Sequence, residues 1–201
     1  MIKAIIFDFG SVLFKTQWEG INKDFLEKFG FSILLNNNSK HIQIYRNSET
    51  GKTSLKDFFI AINPDLDHEE IIEFYKESYK KNKHLNHKLI TLIKELKKNF
   101  ILYGFTDTIK EHFEVNKEQE FFNNFKKVFA SFIFKKRKAE PEAFHDLTKN
   151  IEFHPSECIF IDDYLPNIEN AKAAGFKVIH YPDFPDIKKL KEEINIILKK
   201  N

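Results

Sequence analysis

Apolar residues gather in five short runs: Ala4–Phe7, Ile101–Phe105, Val128–Phe132, Cys158–Ile161 and Val178–His180. Each is too short for a helix and apolar enough for a strand covered on both faces. Patterns of helical period separate most of them. Leu89, Leu92, Ile93 and Leu96 recur at three- and four-residue spacing before the second run. Glu142–Thr148 follows Pro141, which suits a first helical position. Ile168, Ala171 and Ala174 form a small-residue face that stops at Gly175, a C-cap signal. Asp186–Lys199 reads as a packing helix, and the Phe121, Phe122, Phe125 and Phe129 stripe reads as core. Helices alternating with buried strands predict an α/β fold: a Rossmann-like parallel sheet with helices on both faces.

The stretch 15–86 breaks this rhythm. It carries helix signals and no convincing buried strand. Ser54-Leu55-Lys56-Asp57 resembles a capping box ahead of Phe58-Phe59-Ile60. Asp67-His68-Glu69-Glu70 does the same before Ile71-Ile72, and Asn36-Asn37-Asn38-Ser39 reads as a loop. The expected organisation is a core domain from residues 1–14 and 87–201, with an all-helical cap over 15–86. The cap enters just after the first strand, so it should roof whatever that strand builds.

Composition changes this picture little. The chain has 201 residues, 42% apolar and 31% charged, which is globular. Its 32 Lys plus Arg nearly balance 30 Asp plus Glu, leaving a net charge of +2. No nucleic-acid or membrane partner is called for. The basic quartet Lys135-Lys136-Arg137-Lys138 lacks an aromatic platform and reads as a solvated loop, Lys138 apart. Cys158 is the one cysteine, so no internal disulfide forms and a reducing cytoplasm fits. Its apolar run suggests a packed thiol. Asp8 interrupts the first apolar run, which argues against a signal peptide. His41, His84 and His87 have no metal-ligand spacing and read as surface residues.

Candidate chemistry lies where the strands end, because open parallel sheets bind ligands beyond their carboxyl edges. Asp8 follows the first run, with Gly10 expected to turn the chain and expose bare backbone. Thr106-Asp107-Thr108 follows the second, with a hydroxyl expected at a helix start. The basic loop ending in Lys138 follows the third, and Asp162-Asp163 the fourth. Carboxylates from two strands suit a hard cation such as Mg²⁺ that accepts a substrate phosphate. A hydroxyl, free N–H groups and a lysine suit the phosphate itself.

Taken in order, these loops resemble the haloacid dehalogenase-like hydrolase superfamily. Phe7-Asp8-Phe9-Gly10-Ser11-Val12-Leu13 is similar to the subgroup pattern F-D-x-G-G-V-L. Thr106-Asp107-Thr108 with His112 resembles S-N-T…H, and Lys138-Ala139-Glu140-Pro141 resembles K-P-x-P. The run from Asp162 to Gly175 resembles D-D-x-x-x-N…A…G. The resemblance covers nearly the whole chain and implies phosphoryl transfer through an aspartyl-phosphate. It implies Asp8 as nucleophile, with Asp8, the Gly10 carbonyl and Asp163 holding Mg²⁺ and Asp162 beside or behind them. It implies Thr106, the Asp107 N–H and Lys138 as phosphate-binding groups.

Three positions depart from the pattern. Gly10 stands where most phosphatases of the superfamily carry a second aspartate that protonates the leaving group, help typically worth about 10²–10⁴-fold. Asp107 replaces an asparagine and Ala139 a proline. Three consequences stay open: a substrate that leaves without a proton, such as a sugar 1-phosphate; another donor, Asp107 or a cap residue; or weak catalysis. The leading expectation is a Mg²⁺-dependent phosphatase of a small phosphorylated metabolite, with sugar phosphates favoured by the similar subgroup. A haloacid dehalogenase would also use Asp8 but needs no metal, which the Asp162-Asp163 pair argues against. A catalytically weak binding protein is the third reading.

Overall fold

The computed structural model describes residues 1–34 and 40–199; the loop expected over 36–39 lies outside them. The chain opens with strand β1 (Ala4–Phe7), then β2 (Phe14–Thr16) and helices α1 (Trp18–Phe29), α2 (Lys40–Ser48), α3 (Leu55–Ile62) and α4 (His68–Lys81). Strand β3 (Lys83–Leu85) returns the chain to α5 (His87–Leu96), β4 (Ile101–Thr106), α6 (Lys110–Lys117) and β5 (Lys127–Ala130). It ends with α7 (Ser131–Phe134), α8 (Pro141–Asn150), β6 (Cys158–Asp162), α9 (Leu165–Ala173), β7 (Lys177–His180) and α10 (Lys188–Lys199).

Five strands make one parallel sheet in the order β5-β4-β1-β6-β7. Alternate strand residues serve two cores. Ile5, Phe7, Leu102, Ile159 and Ile161 face α5 and α10 through Leu89, Ile93, Leu190 and Ile194. Ala4, Ile6, Tyr103, Phe105 and Phe160 face α8 and α9 through Phe144, Leu147 and Ala171. The period of two therefore appears within runs that looked uniformly apolar, because both faces are covered. Cys158 is wholly buried on the second face, and burial pushes its thiol up to about 12, as a packed thiol requires. Phe121 and Phe125 are core residues too.

Register sets the site. Phe7 pairs with Gly104 on one side and Ile161 on the other. The residue that follows β1, Asp8, is therefore level with Phe105 and Asp162, and its N–H donates to Ile161 O at 2.9 Å. Thr106 ends the neighbouring strand one residue further on.

The inserted helices pack through aromatic rings: Phe25 stacks on Phe59 at 5.7 Å and meets Phe74 edge-on at 5.2 Å. Both expected caps form. The Ser54 hydroxyl accepts from Asp57 N–H while the Asp57 carboxylate accepts from Ser54 N–H, and the Asp67 carboxylate accepts from Glu69 and Glu70. Such caps are worth about 1 kcal/mol each. Two expectations change. The insertion is not helical to its ends: β2 and β3 pair antiparallel, Phe14 with Leu85 and Thr16 with Lys83, as a stem. Three-residue strands of mixed exposure leave no alternation to read. The third apolar run is a strand only to Ala130. The Ser131 hydroxyl accepts from Thr108 N–H at 2.9 Å, and helical turn α7 begins there.

Candidate active site

Lys138 is the hub of the charged cluster at the strand ends. It stands in the loop between α7 and α8, is only 2% exposed, and puts its ammonium between two carboxylates. Nζ lies 2.5 Å from Asp8 Oδ1 and 2.6 Å from Asp162 Oδ2. Burial opposes its charge, yet Asp162, Asp8 and Asp107 outweigh that and push its pKa up. Lys138 thus stays an ammonium. Its backbone is held as well: the N–H donates to both oxygens of Asp107, at 3.0 and 3.2 Å, and the carbonyl accepts from Asn170 Nδ2 at 3.1 Å. Asp107 in this way latches the β4 loop to the Lys138 loop.

Asp162 is wholly buried, and both oxygens are engaged. Oδ1 accepts from Tyr164 N–H at 2.8 Å, Oδ2 from Lys138, and Asn167 Nδ2 reaches both. Asp163 is half-buried; its backbone carbonyl meets His180 Nε2 at 2.8 Å. Asp8, Asp162 and Asp163 each offer an oxygen within 4.8 Å of the others. One ammonium among three clustered carboxylates leaves an excess of buried negative charge. Burial, with Asp162 and Asp163 adding and Lys138 opposing, pushes Asp8 well above the usual carboxylate range. Burial and Asp162 push Asp163 up as well. An all-oxygen, electron-rich cluster of this kind fits a hard divalent cation.

A cleft of about 360 Å³ lies between the sheet edge and the inserted helices, beside this cluster: Gly10, two residues after Asp8, lines it, and so does Asp107, which holds the Lys138 N–H. Gly10, Ser11, Thr106 and Asp107 line it from the core, Trp18, Tyr45 and Glu49 from the cap. The sequence expectations for Gly10 and Thr106 both need correction. The left-handed residue in the turn is Ser11 (φ 57°), not Gly10, and a Cβ at Gly10 would meet nothing within 4 Å. Gly10 is therefore open space in the cleft rather than a backbone necessity. Thr106 ends a strand, whereas the next helix starts at Lys110, so no helix N-terminus carries its hydroxyl.

His112 is 7% exposed and lies in the junction between core and cap. Nε2 hydrogen-bonds Tyr75 Oη at 2.9 Å and the ring stacks on Tyr79 at 3.7 Å. Burial, with nearby Lys83 adding, pulls its pKa down to about 3, so it stays neutral. Trp18 both lines the cleft and packs, 6.3 Å from Tyr45 and 6.0 Å from His112. His84 and His87 are exposed, and His41 is half-buried.

The basic quartet is not simply solvated. Lys136 pairs with Asp146, Lys135 Nζ reaches Gly51 O at 3.4 Å, and Arg137 Nε lies 3.3 Å from Glu49 Oε2. Glu49 is a cleft residue that the sequence does not mark, as are Tyr45 and Tyr79. Glu49 stands in a turn of the cap and reaches the core only through tertiary docking, so no local pattern marks it.

The chain is similar to several known proteins. A sesquiterpene phosphatase of Aspergillus oryzae is 26% identical over 185 residues, 90% of either chain. A bifunctional riboflavin kinase/FMN phosphatase of Arabidopsis thaliana is 38% identical over 50 residues, 25% of this chain and 13% of that protein. A haloacid dehalogenase-family enzyme of Bacteroides thetaiotaomicron, solved with magnesium and inorganic phosphate, superposes with a TM-score of 0.76 at 23% identity. That match covers 94% of this chain and 99% of the other. The family profile of haloacid dehalogenase-like hydrolases spans residues 2–175. With four strand-end loops converging in the order that family uses, this chain belongs to the haloacid dehalogenase-like hydrolases.

Proposed function

We propose that this protein is a Mg²⁺-dependent phosphatase acting on a small phosphorylated metabolite through an aspartyl-phosphate at Asp8. The observation that carries it is the buried Lys138 ammonium fixed 2.5 Å from Asp8 and 2.6 Å from Asp162 at the strand ends. A dehalogenase would gain nothing from so dense a carboxylate cluster, whereas a phosphatase uses it to hold a cation. Asp8, Asp163 and the Gly10 carbonyl would hold Mg²⁺, with Asp162 behind them, its oxygens already committed. When bound, the ion supplies positive charge to the phosphoryl oxygens.

The chain's own residues supply the rest. Asp8 attacks phosphorus. Thr106, the Asp107 N–H and Lys138 bind phosphoryl oxygens, and Lys138 offsets the charge that builds in the transition state. Asp162 aims Lys138, and Asp107 holds its loop in place. Residues 15–86 act as a cap that keeps water from the cleft. The substrate's organic part must fit about 360 Å³ beside Phe14, Trp18, Tyr45 and Tyr79, aromatic walls that accept the face of a sugar or an apolar group. Resemblance to sugar-phosphate phosphatases favours the former, and the Aspergillus relative's name the latter. Among the described residues no helix is long and apolar enough to cross a membrane.

The test is phosphate release from a panel of aryl, sugar and prenyl phosphates, with Mg²⁺ or with EDTA, by wild type and Asp8→Asn. Metal-dependent release abolished by Asp8→Asn is expected. Dechlorination of a 2-haloacid without phosphate release would reject the proposal.

A further inference from the structure

Glu49, in the wall of the cleft, and Arg137, in the loop next to Lys138, each carry a buried polar atom without a hydrogen-bond partner: Glu49 Oε2 and Arg137 Nε. They are 3.3 Å apart, an ion pair without hydrogen-bond alignment, so each keeps unused hydrogen-bonding capacity. Orphaned buried groups beside a reaction site ask for a ligand.

The position of Glu49 is built in. Helix α2 ends in a wound turn, with Gly51 N–H donating to Ser48 O and Lys52 N–H to Asn47 O, both at 3.0 Å. Gly51 takes φ +62°, and a Cβ there would stand 2.9 Å from Phe132 O and 2.5 Å from Lys135 Nζ. Glycine thus lets the cap turn press onto the core at α7. Glu49 is delivered over the Arg137–Lys138 loop, its side chain 20% exposed, into the cleft that Gly10 also lines.

We propose that Glu49 donates the proton to the leaving group, taking from the cap the role that Gly10 cannot fill. This rests on the phosphatase reading above. As an Asp8 oxygen bonds phosphorus and the P–O bond to the organic group breaks, the Glu49 carboxyl passes its proton to the departing oxygen, and the group leaves as an alcohol. The Glu49 carboxylate then takes a proton from water as the water oxygen bonds phosphorus. The P–O bond to Asp8 breaks, and both side chains return to their starting forms.

Other cleft groups are worse placed. Both Asp107 oxygens accept the Lys138 N–H, and His112 is held neutral against Tyr75. The Tyr45 and Tyr79 hydroxyls are engaged by Tyr75 and Asn116, and burial pushes both phenols up. Burial, with Asp107 adding and Arg137 and Arg46 opposing, pushes the Glu49 carboxyl above its usual range, in the direction a proton donor needs.

The experiment compares kcat/KM for 4-nitrophenyl phosphate, whose leaving group departs without a proton, and glycerol 1-phosphate, whose alkoxide does not. Glu49→Gln keeps shape and bulk. It should lower the alkyl value by about 10²–10⁴-fold and the aryl value by less than about tenfold. The fall of wild-type alkyl turnover at rising pH should vanish in the variant. Gly10→Asp in the Glu49→Gln background should restore alkyl turnover selectively. Equal losses on both substrates, or a rise in KM alone, would overturn the role of Glu49 while leaving the phosphatase reading intact. No turnover of either substrate by wild type would overturn both.

Discussion

Replacing Lys138 with methionine isolates the charge at the centre of this site. Methionine fills a similar volume, so little cavity cost is expected. What disappears is the one ammonium 2.5 Å from Asp8 and 2.6 Å from Asp162, in a place only 2% exposed. Asp162 is wholly buried and would face Asp8 with no cation between them. Breaking a buried pair in this way costs about 3–5 kcal/mol. With a urea slope of about 2 kcal/mol/M for a domain of this size, the unfolding midpoint should fall by about 2 M. Asp162→Asn in the same chain removes the stranded charge, so the double variant should be more stable than the sum of the singles by about 0.5–3 kcal/mol. Mg²⁺ should narrow the gap between Lys138→Met and wild type, since a cation in the carboxylate cluster replaces part of the lost charge. A midpoint within about 0.3 M of wild type, or strictly additive singles, would refute the view of Lys138 as an electrostatic hub.

Gly10→Asp should fold with stability within about 0.5 kcal/mol of wild type, because the position is open and not left-handed. A loss above about 2 kcal/mol by urea unfolding would show that the glycine is structurally required. His112 gives a pH signature of the core–cap junction. Its folded pKa of about 3 lies below the unfolded value of 6.5, so its contribution is complete above pH 6.5 and is lost as pH falls toward 3. Between pH 6.5 and 5 wild type should lose about 2 kcal/mol that His112→Gln does not lose, measured by urea unfolding. Identical slopes for the two proteins would remove His112 as the cause.

Much of the site was legible because its side chains sit at the ends of buried strands. Asp8, Thr106 and Asp162 follow apolar runs directly, and a parallel sheet aligns such ends at one edge. Lys138 was legible from its offset before Pro141, although neighbouring lysines look alike in sequence. What sequence did not reveal depends on contacts between distant segments. Glu49 reaches the cleft only because Gly51 lets its turn dock on Phe132 and Lys135. The β2–β3 stem is three residues wide, and its partners are far apart in the chain. β5 stops at Ala130 because the Ser131 hydroxyl answers Thr108 across the sheet edge. Gly10 invited a conformational reading, yet the strained φ falls on Ser11, one residue later.

The proposed mechanism turns on a covalent bond between Asp8 and phosphorus. A single turnover of a phosphomonoester with Mg²⁺, quenched in acid within milliseconds and digested, tests it directly by peptide mass. A phosphoryl group is expected on the peptide containing Asp8, removable by hydroxylamine and absent from Asp8→Asn. Steady release of phosphate with no phosphoryl group on that peptide at any quench time, or equal release by Asp8→Asn, would contradict it.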